Sequence, residues 1–169
     1  MYFLGLDPGS QGCAVLLDAF KSPTTGKVKC RYLEHLNLLT YNRMEMKALQ
    51  RFFHAAHAMN ARVWIEEPVP THYGKGTALL VQGANFGYLY GCAATIWADV
   101  STVFPSTWQS ALGTKGKNND DVCRDILRDE CGMDWRKIAP RSKTNCPEGL
   151  LDATCIAYYG ALQCLGDKV

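Results

Sequence analysis

Three acidic residues stand where surface placement explains them poorly. Asp7 closes the apolar run Tyr2-Phe3-Leu4-Gly5-Leu6, and Glu66 closes Val63-Trp64-Ile65. Asp152 lies inside Leu150-Leu151-Asp152-Ala153-Thr154-Cys155-Ile156-Ala157, a stretch otherwise almost wholly apolar. A carboxylate among buried groups is costly unless it is paired or bound to a cation. Each acid alone has a plainer account: Asp7 could cap its own Pro8-Gly9 turn, Glu66 could lie at the surface, and Asp152 could bridge to a core arginine. If the two strands are neighbours and the helix crosses their ends, all three converge, and their mutual repulsion requires divalent metal. Oxygen-only ligation suits Mg²⁺ or Mn²⁺. Two such ions about 3.5–4 Å apart activate water and steady the leaving oxygen of a phosphodiester. The cofactor expectation is therefore two Mg²⁺ ions per site, with Mn²⁺ as a substitute.

The elements that would position these acids follow from periodicity and turn chemistry. A first strand ends at Asp7, a turn occupies Pro8-Gly9-Ser10-Gln11-Gly12, and a second strand covers Cys13 to Leu17. A turn at Ser22 to Gly26 leads to a third strand over about 28–38, completing an antiparallel meander. Met44, Ala48, Phe52, Ala55 and Met59 recur at helical spacing, with Asn60 as the stop. The short strand Val63-Trp64-Ile65 runs out at Glu66-Glu67-Pro68, where the proline has no N–H to give a ladder. No charge occurs from Gly76 to Ala98, and the run reads as a core helix with Gly83, Gly87 and Gly91 as a small-residue stripe. Gln82, Asn85 and Thr95 argue against a membrane span there. Strand Ser101-Thr102-Val103-Phe104 precedes a helical turn from Pro105, a helix opened by Asp120 and Asp121, and a last helix after Pro147. Three antiparallel strands followed by alternating helix and strand give a mixed α/β sheet.

The chain has 169 residues, 47% of them hydrophobic and 20% charged, with a formal charge of +2. It is expected to fold as one domain over 1–169, large enough to hold a core without disulfide or metal. The composition excludes disorder as its main state. Near neutrality means that affinity for nucleic acid must come from local clusters. Eight cysteines lack any Cys-x-x-Cys pair, so reduced, buried thiols are expected, with Cys13, Cys92 and Cys155 in the core. No secretory leader is visible at Met1 to Asp7.

The motifs Leu4-Gly5-Leu6-Asp7-Pro8-Gly9, Trp64-Ile65-Glu66-Glu67, Asn85-Phe86-Gly87-Tyr88-Leu89-Tyr90-Gly91, Pro105-Ser106-Thr107-Trp108-Gln109 and Asp152-Ala153 occur in order. Together they resemble the RuvC-like Holliday junction resolvases, most nearly the phage and chloroplast variants, over about residues 3 to 162. The resemblance implies a ribonuclease-H-like fold with a five-stranded mixed sheet, three strands antiparallel and then two parallel, flanked by helices. It also implies a homodimer that places paired symmetric nicks across four-way DNA, and it makes Asp7, Glu66 and Asp152 metal ligands and catalytic residues. The bacterial form carries an Asp or His three residues before its last Asp, where this chain has Gly149. Glu148, one full helical turn before Asp152, is the expected fourth ligand or general base, with Glu67 as the substitute.

DNA contacts are expected from the loops around that point. Tyr73 and Lys75, in Thr71-His72-Tyr73-Gly74-Lys75-Gly76, pair a stacking ring with a cation. Lys115 and Lys117 flank Gly116, and Arg136, Lys137, Arg141 and Lys143 form a cluster with no acid between 136 and 146; Arg141 and Lys143 complete the expected phosphate contacts. His35, His54 and His57 are read as surface residues without a ligand role. The function expected is a metal-dependent junction-resolving endonuclease that leaves 5′ phosphates, acting in the cytoplasm, at the nucleoid or in an organelle. Alternatives are another ribonuclease-H-like nuclease, acting on RNA/DNA hybrids or as an exonuclease, and a catalytically silent junction-binding protein. An actin-like ATPase shares the opening strand but needs two such domains.

Overall fold

Side chains alternate in direction along each strand with a period of two, and the two faces this creates are covered by different helices. The computed structural model describes residues 1–40, 43–69, 76–115, 119–138 and 148–166. In chain order these form strands β1 (Tyr2–Asp7), β2 (Cys13–Lys21) and β3 (Val28–Asn37), a two-stranded ladder β4 (Leu39–Thr40) and β5 (Arg43–Met44), and helix α1 (Met46–Ala58). Then come β6 (Arg62–Glu66), α2 (Gly76–Ala94), β7 (Val100–Val103) and α3 (Pro105–Ala111). Helix α4 (Asn119–Asp125) runs into a π-helical turn, Ile126–Glu130, followed by α5 (Trp135–Ile138) and α6 (Glu148–Leu165).

The main sheet has five strands in the order β3-β2-β1-β6-β7. β1 pairs antiparallel with β2 and parallel with β6, which pairs parallel with β7. This is the mixed sheet expected from the sequence. β2 is longer than the expected Cys13 to Leu17, and its register with β3 shifts by one residue between Leu16 and Leu17, where Leu16 pairs with Glu34 and Leu17 with Tyr32. α1 ends where Asn60 takes a positive φ of 55°, a conformation that Asn tolerates.

One face of the sheet packs Leu4, Leu6, Val63 and Ile65 against α1 and the buried side of α2. The other packs Phe3, Val15, Leu17 and Val103 against α6. α6 lies so close to β1 that a Cβ on Gly5 would stand 2.1 Å from the Ala153 carbonyl oxygen and 2.5 Å from the Ala157 nitrogen. A few positions on, Gly160 clears the indole of Trp64, whose ring meets Tyr159 edge-on at 5.3 Å.

Helix α2 departs from the core role expected of it. Leu89 and Ala93 are buried, but Leu80 is 74% exposed and Tyr88 61%, and Val81 and Tyr90 are exposed too. Gly83, Gly87 and Gly91 face open space. Because α2 is apolar all round, its sequence carries no stripe to mark which side is covered. His35 is half-buried and paired with Tyr32, rather than lying at the surface. Among the described residues seven cysteines are free thiols; Cys13 and Cys155 are buried as expected, while Cys92 is only half-buried. No helix among the described residues is long and apolar enough to cross a membrane.

The contact between α6 and β1 is testable. Gly5→Ala inserts a methyl group into backbone that has nowhere to retreat without lifting α6, so it should lower unfolding stability by about 3 kcal/mol. Urea denaturation followed by circular dichroism measures this; a midpoint equal to that of the wild type would contradict the close approach.

Candidate active site

Strand alternation decides which way the acids point. In β1, Leu4 and Leu6 face α1 and α2, so Phe3, Gly5 and Asp7 face α6. In β6, Val63 and Ile65 face α1 and α2, so Trp64 and Glu66 face α6. Leu6 pairs with Ile65 in the parallel ladder, which leaves Asp7 and Glu66 side by side at the carboxyl ends of neighbouring strands. Such strand ends are where open α/β sheets bind ligands. Both acids are buried, Asp7 at 6% exposure and Glu66 at 8%.

Each carboxylate is anchored by a specific donor. The Gly9 amide donates to Asp7 Oδ1 at 2.8 Å, closing the tight turn that the Asp-Pro-Gly sequence prepares. Trp108, fully buried on α3, donates its indole N–H to Glu66 Oε2 at 2.7 Å. Burial pushes the Glu66 carboxyl up to about 7; the Trp108 hydrogen bond partly offsets this, and the neighbouring charge of Asp7 raises it again.

α6 brings its first turn onto this pair. A Cβ at Gly149 would stand 2.0 Å from the Gln11 carbonyl oxygen and 3.0 Å from Asp7 Oδ2. Asp152, half-buried, lies one turn further along the same helix. The structure thus brings Asp7 and Glu66 together and sets the Asp152-bearing helix over them. Among the described residues, no group of three Asp, Glu, His or Cys side chains is disposed to hold a metal ion. Glu148 is the first residue of α6, and its side chain lies outside the described residues. The donor chemistry fits a hard divalent cation: two buried carboxylates with adjacent charges, one of them held toward its protonated form by burial.

The remaining sequence candidates divide clearly. Glu67 accepts a hydrogen bond from the Thr102 hydroxyl of β7, so it is engaged away from the Trp108 side of the sheet. Lys115 is exposed just beyond α3, its amide bonded to the Gln109 carbonyl at 3.3 Å. Tyr73, Lys75, Lys117, Arg141 and Lys143 lie outside the described residues. Arg136 is exposed, stacked over Trp135 at 5.1 Å, with Asp134 within 4.0 Å. Sequence reasoning placed Trp108 in a motif and missed its bond to Glu66, because a Trp four residues after a strand is indistinguishable from ordinary core.

In sequence, no family model and no curated protein matches this chain. In structure it is similar to Thermus thermophilus RuvC, with a TM-score of 0.68 and 18% identity over 98% of this chain and 97% of that one. It is also similar to T. thermophilus RuvC in complex with a Holliday junction substrate, with a TM-score of 0.71 and 17% identity over 98% and 95%. The yeast mitochondrial Holliday junction resolvase Ydc2 aligns over 97% of this chain and 82% of its own, at 12% identity and a TM-score of 0.49. The RuvC likeness shows the ribonuclease-H-like fold that the sequence motifs led us to expect.

The titration of Glu66 has a measurable consequence. Its native pKa, about 7, lies above the ordinary 4.5, so the native state keeps the proton longer than the unfolded chain does. The associated stability is complete below pH 4.5, falls as pH rises, and is gone above about 7, a change on the order of 3 kcal/mol. In EDTA, the thermal stability of Glu66→Gln should therefore gain on that of the wild type as pH climbs through this window. Parallel curves for the two proteins would show that Glu66 does not titrate there.

Proposed function

We propose that this chain is a metal-dependent, structure-selective endonuclease that resolves four-way DNA junctions by paired symmetric nicks and leaves 5′ phosphates. One observation carries the reading: two buried carboxylates, Asp7 and Glu66, lie side by side at parallel strand ends beneath the first turn of the helix that bears Asp152. The similarity to a RuvC captured with a Holliday junction supports four-way DNA as the substrate.

Asp7, Glu66 and Asp152, with Glu148 as the fourth, would hold the Mg²⁺ pair, and Mn²⁺ would replace it. When bound, the ions supply Lewis-acid activation of the attacking water and charge neutralisation at the departing 3′ oxygen. The protein's own part is to hold the ligands still. Gly9 and Trp108 each fix one carboxylate by a donated hydrogen bond. Burial of both acids limits the water that competes for them. Lys115, with Tyr73, Lys75, Lys117, Arg141 and Lys143, would contact the DNA phosphates and bases around the nick. Paired nicks need two sites, and a homodimer supplies them. The uncovered apolar face of α2, with Leu80, Val81 and Tyr88 exposed beside open glycines, supports a second copy of the chain there.

Incubation with a synthetic four-way junction, a linear duplex and an RNA/DNA hybrid, in Mg²⁺ or in EDTA, tests the proposal. The junction should be nicked symmetrically and only with metal. Asp7→Asn should fall to the level of the EDTA control while keeping junction affinity within about twofold, because it removes one ligand and no phosphate contact. Preferential cutting of the hybrid would replace the junction reading with that of a hybrid nuclease. Tight junction binding without cutting by the wild type would leave a binding protein.

A further inference from the structure

The turn that holds Asp7 is itself held from the far side of the sheet. Asn85 of α2 donates its side-chain amide to the Pro8 carbonyl oxygen at 3.2 Å. The Pro8 carbonyl and the Gly9 N–H are the two ends of one peptide group, and that N–H donates to Asp7 Oδ1 at 2.8 Å. A peptide group is planar and rigid, so whatever fixes the direction of its oxygen fixes the direction of its N–H. Donation to the oxygen also polarises the group and strengthens the N–H as a donor. The neighbouring backbone is closed separately: Gly12 N–H donates to the Gly9 carbonyl at 3.0 Å, and Leu38 N–H donates to the Gly12 carbonyl at 2.9 Å. Neither of these touches the Pro8–Gly9 peptide, so among the described hydrogen bonds that unit is gripped at Asn85 and at Asp7.

From this we infer that Asn85 is a positioning residue for Asp7, acting through the Pro8–Gly9 peptide to aim the carboxylate whose second oxygen faces the first turn of α6. Two features favour this over simple packing between α2 and the turn. Pro8 can offer Asn85 only an acceptor, so the contact requires a donor at position 85 and shape alone does not satisfy it. The bond is also made by a half-buried polar residue on a helix that packs Phe86, Leu89 and Ala93 into the core. The inference rests on Asp7 being a metal ligand, as proposed above, although the relay through Gly9 is measurable without any reaction.

Asn85→Asp keeps the shape and places an oxygen against the Pro8 oxygen, whereas Asn85→Gln keeps a donor on a longer arm. Three quantities distinguish the possibilities: the Gly9 amide proton resonance in metal-free protein, the Mn²⁺ concentration at half-maximal thermal shift, and cleavage of the four-way junction. In Asn85→Asp the Gly9 resonance should move upfield, the Mn²⁺ midpoint should rise about tenfold, and kcat should fall about as far, with the half-saturating junction concentration unchanged. Asn85→Gln should recover most of each change. An unmoved Gly9 resonance with a wild-type Mn²⁺ midpoint would overturn the assignment. So would weaker junction binding at an unchanged Mn²⁺ midpoint, which would make Asn85 a DNA contact. If Gly9 and the Mn²⁺ midpoint respond in a protein that cuts no junction, the role of Asn85 stands and the endonuclease reading fails.

Discussion

Two like-charged carboxylates buried side by side are the constraint around which this fold is arranged. Asp7 and Glu66 are brought together by nothing more than parallel pairing of β1 with β6, and water is then kept from both. Burial, and to a smaller extent the neighbouring charge of Asp7, makes Glu66 resist ionisation. Two groups act against that resistance: the indole N–H of Trp108 at Glu66 and the Gly9 amide at Asp7. Both are neutral donors of fixed direction. They stabilise negative charge without adding a charge of their own.

That arrangement works only if α6 comes very near. Gly5 and Gly149 are the points of contact, one against the strand and one against the turn beyond it. At Gly5 the helix backbone occupies the volume a side chain would take, so α6 lies over the carboxyl-face residues of β1. The opposite face of the sheet does different work. α1 and the buried side of α2 complete the core there, and Asn85 of α2 reaches round the strand ends to bond the Pro8 carbonyl. Both faces carry hydrophobic core, and the two buried acids lie on the face that α6 covers.

Much of this was legible in the sequence, for identifiable reasons. An acid that ends an apolar run marks the end of a buried strand, and both Asp7 and Glu66 lie there. The meander and the last helix followed from turn residues and apolar spacing. Helix α2 was legible as a helix but not in its placement, because uniform apolarity hides the covered side; Leu80 and Tyr88 proved exposed. Trp108 and Asn85 act through single hydrogen bonds to residues 42 and 77 positions away. No local pattern reports a bond of that range, whereas turns and caps are written within a few residues.

Gly149 shows how the two levels fit together. The sequence presents it as a departure, a glycine where the bacterial resolvases carry an acid or histidine. In the fold, a side chain at that position would stand 2.0 Å from the Gln11 carbonyl oxygen, a distance no rotamer relieves because the clash begins at Cβ. Position 149 is therefore closed to any ligand so long as the turn at Gln11 and the first turn of α6 keep this contact. Glu148 is the residue before it and stands four before Asp152, the spacing that places two residues on one helical face. The glycine at 149 is thus explained by the backbone of Gln11, which occupies the place of its Cβ.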